Sequence, residues 1–304
     1  MLNLSSQKNR AMEKQTKPLV SVLMTTYNRE KYLAQAIESV LASTYENFEL
    51  LVVDDQSKDN SLAIARQYAE KDARVKSILN EKNLGDYPNR NKAAQLAKGK
   101  YLKYVDADDA IYPRGLEVLV EGMEEFPEAG FGLASLPQDS ERMYPFILQP
   151  AEAYKRHYFE KQLFHKAPLS AIIRKDAFEA VGGFSGRRFL GDFEMWHVMA
   201  AKYPVVLMQQ GVVWYRVHED QEMQHNRTDF TIPFKYVQCA EEMLLKEGCP
   251  LNENDQQKAL RQVKWNQARY ILGVGKNHSL KVMHQLKKES GMGYGEILRR
   301  VLKK

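Results

Sequence analysis

The chain is 304 residues long and carries 44 lysines and arginines against 39 aspartates and glutamates, a formal charge of +5. That length fits one large domain or a domain with an appendage, and the mild charge, with both signs alternating along most of the chain, excludes the basic stripe of a nucleic-acid-binding protein. No apolar run approaches the roughly 18 residues of a membrane span, and Cys239 and Cys249 are spaced for neither a metal site nor a disulfide framework, which points to a reducing, cytoplasmic setting.

Residues 1–17 are polar and mixed in charge, lack the apolar core of a signal peptide, and are expected to form a flexible arm. The short apolar run over residues 19–24 predicts a buried strand. Residues 31–43 predict a helix, with Leu33, Ile37, Val40 and Leu41 on one face. A second strand is predicted over 48–53, ending at Asp54 and Asp55. Asp59, Asn60 and Ser61 offer N-caps for a helix through about Glu70. A third strand follows over Val75–Leu79, then a helix through residues 93–97 that stops at Gly99. Residues 101–105 form the fourth predicted strand. The next helix carries Leu116, Leu119, Val120 and Met123, and a fifth strand is expected over 130–135. Residues 137–162 have no regular pattern. Beyond them come a strand over 169–173, a helix over 175–181 closed by Gly182 and Gly183, and a helix over Gly191–Lys202. Residues 205–208 and 212–215 are expected to be two short strands paired with each other. Helices are predicted over 233–246, 255–271 and 280–288.

Strand and helix alternate four times in the first 130 residues, which implies βαβ units and a mainly parallel sheet with helices on both faces. In such sheets ligands bind beyond the carboxyl ends of the strands. The polar clusters fall at those ends: Thr25, Thr26, Tyr27 and Asn28 after the first strand, Asp54 and Asp55 after the second, Asn83 and Gly85 after the third, and Asp106, Asp108 and Asp109 after the fourth. Three carboxylates within four residues repel one another, and all-oxygen ligands suit a hard divalent ion such as Mg²⁺ or Mn²⁺. The alternative for that segment alone is a solvated Asp-rich turn before a helix. A Gly-rich dinucleotide fingerprint and a phosphate-binding P-loop are both missing after the first strand.

The order and spacing of four segments resembles the GT-A-fold glycosyltransferases of family 2. The segments are residues 20–28, residues 51–59, Asn83-Leu84-Gly85 with Arg90-Asn91, and Gly99 with residues 105–109. The likeness covers residues 18 to about 220. It implies a GT-A architecture over residues 18–225, with a donor half over 18–135 and an acceptor half over 136–225, followed by a helical extension over 226–304. The resemblance further implies an inverting, metal-dependent transferase that takes a sugar from a nucleotide-diphosphate donor of UDP type to a hydroxyl of a glycan or lipid-linked acceptor, in surface polysaccharide assembly. Nucleic acid is not among the implied partners.

The same resemblance implies residue roles. Asp55 accepts from the imide N–H of a uracil-type base, and Thr25, Tyr27 and Asn28 surround base and ribose. Asp106 and Asp108 form the DxD pair, with Asp108 and Asp109 facing a Mn²⁺ or Mg²⁺ ion and His218 close to metal or diphosphate. Arg90 neutralises the diphosphate, against the alternative of a surface salt bridge worth little. Asp192, at the start of a helix, holds the place of the general base. The family's preceding acid is absent, since Gly191 stands there. That departure keeps open a second possibility, a weakened GT-A domain that binds nucleotide-sugar, glycan or a partner protein. In the tail, Leu280, Val282, Met283, Leu286, Ile297, Leu298, Val301 and Leu302 interleave with lysines and arginines. This pattern suits a basic amphipathic element on an anionic membrane face, or helices packed on the domain with a solvated basic side.

Overall fold

The computed structural model describes residues 17–219, 221 and 229–302. The expected arm up to residue 16, the boundary at 225 and the last two lysines lie outside the described residues. In chain order the elements are β1 (Val20–Thr26), α1 (Glu30–Leu41), β2 (Phe48–Asp54), α2 (Ser61–Lys71), β3 (Val75–Leu79), α3 (Asp86–Leu96), β4 (Tyr101–Tyr104), β5 (Ala110–Ile111), α4 (Gly115–Glu125), β6 (Phe131–Leu136) and β7 (Phe146–Leu148). They continue with α5 (Pro150–Lys155), a π-helical turn (Arg156–Glu160), β8 (Ala171–Arg174), α6 (Lys175–Ala180), α7 (Gly191–Lys202), β9 (Val205–Gln209) and β10 (Val213–Trp214). Four helices close the chain: α8 (Thr231–Leu245), α9 (Glu253–Asn277), α10 (Leu280–Ser290) and α11 (Tyr294–Leu302).

The main sheet has eight strands in the order β3-β2-β1-β4-β8-β6-β9-β7. The first four strands are mutually parallel, as βαβ connections dictate. β8 then runs antiparallel to both β4 and β6, while β9 is parallel to β6 and β7 antiparallel to β9. The sheet is therefore mixed at its far side.

β1 and β2 are buried on both faces, which is why they read as near-continuous apolar runs. Alternation along the strands divides their side chains between two cores. Val20, Val22, Met24, Leu50 and Val52 pack with Leu33, Ile37 and Val40 of α1 and with Leu116 and Leu119 of α4. Leu23, Leu51, Val53, Leu102 and Tyr104 face the other way, toward α3, α6 and α7. That second core includes Cys239, Met243 and Leu244 of α8 and Ala259 and Val263 of α9, so the first part of the helical extension is built into the body of the fold.

Residues 205–208 and 212–215 do not pair with each other as the spacing predicts. β9 lies inside the main sheet between β6 and β7, and β10 pairs antiparallel with β5. Two-residue strands such as β5 and β10 leave no periodic trace in a sequence. Their pairing has a functional consequence: it lays residues 214–218 across the acidic segment after β4.

The tail helices fold onto the domain. Leu286 of α10 and Ile297 of α11 are fully buried against Phe234, Ala268 and Ile271. Val282, Met283 and Val301 pack around that cluster, while Leu280, Leu298 and Leu302 stay exposed.

Candidate functional site at the carboxyl edge of the sheet

The parallel register aligns Thr26 with Asp54 and Asp54 with Leu79, and Val105 continues β4 with a bond to the Leu23 carbonyl at 3.0 Å. Four strands thus end side by side, and their loops form one polar rim, where a doubly wound sheet binds its ligands.

Asn28 ties the first two loops together. Its backbone is left-handed, at φ 54°, a conformation asparagine tolerates better than most residues. Its N–H donates to Ser57 Oγ at 2.9 Å and its Oδ1 accepts from Lys58 N at 2.8 Å. Thr25 is half-buried at the end of β1, and Tyr27 is 43% exposed on the rim.

Asp55 is buried at 3% exposure, with both carboxylate oxygens engaged. Oδ1 accepts from Asn80 Nδ2 at 2.7 Å and Leu84 N at 2.8 Å, and Oδ2 from Gly85 N at 2.8 Å. Gly85 adopts φ +82°, a turn conformation that carries no penalty for glycine. Asp55 therefore fixes the loop before α3, and a base N–H would share an oxygen that already accepts from the protein.

Arg90, on α3, is not a surface salt bridge. Its side chain is only 12% exposed and lies between Asp86 (2.7 Å) and Asp106 (2.7 Å), over the ring of Tyr104. Asp108 Oδ2 receives two groups, Arg29 Nε at 2.9 Å and His218 Nε2 at 3.1 Å. Asp109 is 2% exposed and accepts from Arg216 N at 2.8 Å, while Arg216 Nε donates to the Asp108 carbonyl at 2.7 Å. Burial, with Asp106 and Asp108 nearby, pushes the Asp109 carboxyl up to about 7. Beneath the cluster, Lys103 Nζ donates to the Ala171 carbonyl at 3.1 Å and to that of Leu169, and burial draws its pKa down to about 7.

Asp108 alone meets His218, while Asp106 pairs with Arg90 and Asp109 accepts from the Arg216 N–H. Among the described residues no group of three or more His, Cys, Asp or Glu is placed to hold a metal ion. Asp108 Oδ2 and His218 Nε2 lie at hydrogen-bond distance, 3.1 Å, and a carboxylate oxygen beside an imidazole nitrogen is a donor pair that divalent ions accept. The buried His218 Nδ1 lacks a hydrogen-bond partner, and the Arg29 guanidinium occupies the same carboxylate that the ion would take. Mg²⁺-type sites commonly use one or two protein carboxylates and leave other positions to substrate phosphates. Asp108 and His218 are the residues that would hold such an ion, with Asp109 behind them.

Asp192 lies in the first turn of α7. Its Oδ1 accepts from Phe193 N at 2.7 Å and its own N–H donates to Tyr87 Oη at 3.2 Å. Burial raises its carboxyl from 3.8 to about 6, against the opposing pull of Arg90. The neighbouring glycine has a steric cause: a Cβ at Gly191 would come within 2.6 Å of the Tyr87 ring. The Tyr87 ring from α3 fills the space that a side chain at position 191 would take. Glu194 points away from Asp192, toward Ser185 and Arg187. The loop before it is pinned by Asn91, which accepts from Phe184 N at 2.9 Å and donates to the Phe184 carbonyl at 2.8 Å.

Arg29, Tyr87, Lys103 and Arg216 escaped the sequence reading. Arg29 follows directly on the first-loop motif and Lys103 interrupts an apolar strand, two signals that were available. Tyr87 and Arg216 carry no local signal, since only tertiary packing brings them to the site.

The family profile described as Glycosyl transferase family 2 matches residues 21–182, just over half of the chain. The chain is 44% identical over 110 residues to an uncharacterized glycosyltransferase of Methanocaldococcus jannaschii, MJ1057; that match spans 36% of this chain and 38% of the relative's own length. Among solved structures, Staphylococcus aureus TarS 1-349 in complex with UDP-GlcNAc superposes with a TM-score of 0.70 at 19% identity, covering 93% of this chain and 81% of that one. The mannosyltransferase PcManGT of Pyrobaculum calidifontis, solved with GDP-Man and Mn²⁺, superposes with a TM-score of 0.58 at 16% identity, covering 91% of this chain and 81% of that one. At these identities both structures speak to the fold.

Proposed function

Because the chain belongs to glycosyl transferase family 2, we propose that it transfers a sugar, with inversion, from a UDP-sugar to a hydroxyl of a glycan or lipid-linked acceptor in surface polysaccharide assembly. The observation that carries the reading is the continuity of charged groups from Asp108 and Asp106 through Arg90 to Asp192. Diphosphate-facing groups and a candidate base lie in one patch.

In this reading Thr25, Tyr27 and Asn28 line the nucleoside, and Asp55 acts through the loop it holds. Asp192 accepts the proton of the acceptor hydroxyl as that oxygen bonds to the anomeric carbon. The bond from that carbon to the phosphate oxygen breaks, and its electron pair leaves with the nucleoside diphosphate, whose charge Arg90 offsets. A carboxyl at about 6 is ionised at neutral pH yet more basic than an ordinary carboxylate, which suits a general base. A bound Mn²⁺ or Mg²⁺ supplies charge neutralisation at the diphosphate. One displacement at the anomeric carbon inverts it.

The test is a nucleotide-sugar panel followed by nucleotide release, with the product anomer read by NMR. Release from a UDP-sugar with inversion supports the proposal. Release from no member of the panel, or retention at the anomeric carbon, defeats it.

A further inference from the structure

A cavity of about 990 Å³ lies behind Asp192. Its wall is assembled from separate parts of the chain. Asp192 and Phe193 come from α7, Tyr158 and Phe159 from the π-helical turn, and His165 from the loop that follows. The remaining wall belongs to the helical extension: Ile232 and Tyr236 from α8, and Lys258, Gln262 and Asn266 from α9. Asp192 also lies in the field of Arg90 and Asp86. The cavity and the acidic rim therefore meet at the candidate base.

The chemistry of the wall is specific. Aromatic faces dominate one part: His165 lies 4.6 Å from the Phe193 ring and 5.6 Å from that of Tyr236. The amides of Gln262 and Asn266, both exposed, supply donors and acceptors on the opposite helix. The charges are Glu160, Asp192 and Lys258, and Lys258 Nζ already lies 3.7 Å from Asp255. His157 and His165 are held below their ordinary range by burial, so neither supplies a cation at neutral pH. A phosphate or uronate would find no surplus positive charge here. A pyranose presents apolar C–H faces to aromatic rings and hydroxyls to amides. The volume is at the upper end of the roughly 300–1,000 Å³ typical of ligand sites, which leaves room for more than one ring.

We propose that this cavity is the acceptor site, that it takes the uncharged end of an oligosaccharide, and that α8 and α9 recognise it. The proposal rests on the transfer reaction proposed above and names its acceptor class.

The test uses the full chain and three neutral probes, the methyl β-glycosides of cellobiose, lactose and chitobiose, against ribitol 5-phosphate as the anionic probe. Binding is read by saturation-transfer NMR, and UDP affinity separately by calorimetry. Gln262→Trp starts from an exposed position and fills the cavity, leaving the core intact. The expected result is saturation transfer to at least one neutral glycoside, binding weakened about tenfold or more in Gln262→Trp, and UDP affinity unaltered. Three results overturn the proposal: silence of all three glycosides, tighter binding of ribitol 5-phosphate, or glycoside binding that Gln262→Trp leaves unchanged. Glycoside binding in a chain that has no affinity for UDP would defeat the UDP-donor reading and leave the cavity as a site for neutral glycans.

Discussion

Replacing Asp192 by asparagine separates its chemical role from its structural cost. The carboxyl is carried from 3.8 to about 6, chiefly by burial. One pKa unit corresponds to about 1.4 kcal/mol, so the ionised group weakens the folded chain by about 3 kcal/mol. The sign follows from proton binding. The folded state holds this proton more tightly than the unfolded state, so stability is highest where the group is protonated in both, below about pH 4. It falls as pH rises to about 6 and is flat above that. The substituted side chain would keep the bond from Phe193 N, since its amide oxygen can accept it, and would carry no charge. Urea unfolding of wild type and D192N across pH 4–8 isolates the term, because all other titrations cancel in the difference. D192N should gain about 2.4 kcal/mol on wild type between pH 4 and pH 7, while sugar transfer falls by about 10²–10⁴-fold. Parallel stability curves would refute the burial argument, and unchanged transfer would remove Asp192 as the base.

Three further outcomes are expected. Arg29→Ala frees Asp108 from a partly buried ion pair worth about 1 kcal/mol and should tighten Mn²⁺ binding without nucleotide by about fivefold, as read by electron paramagnetic resonance; unchanged affinity contradicts competition between guanidinium and metal. Gly191→Ala forces a methyl into the Tyr87 ring and should cost about 1–3 kcal/mol in urea unfolding, with the penalty disappearing in a Tyr87→Ala background; the same penalty in both backgrounds rules out the steric cause. With the apolar face of α10 and α11 largely spent on packing, the full chain should bind anionic vesicles weakly and release them at high salt, and absence of flotation even at low salt would end the idea of membrane contact.

The parallel half of the fold was legible because β1 and β2 are buried on both faces and α1 between them carries one apolar stripe. α7 was read with its observed bounds, since Lys202 and the following Pro204 mark its end clearly. β5 and β10 were not legible, because two residues hold no period and their pairing is decided by packing. β7 was lost in the irregular stretch for the same reason. At the site, Asp106, Asp108 and Asp109 stood out through charge crowding, and Asp192 through the family resemblance. What could not be read was which carboxylate oxygens are already occupied. Asp55 reads as an open acceptor in sequence, and only the structure adds that it also accepts from the backbone N–H groups of Leu84 and Gly85 and so holds the loop before α3. The absent acid before Asp192 likewise reads as a loss, whereas Tyr87 explains it by volume.

The most direct trial of the central claim is calorimetry of UDP with and without Mn²⁺, on wild type and Asp108→Asn. If the strand-tip acids grip a diphosphate through a cation, UDP binds wild type at least about tenfold more tightly with Mn²⁺ present, and Asp108→Asn abolishes that coupling. Equal UDP affinity with and without the metal, in both proteins, would contradict the account.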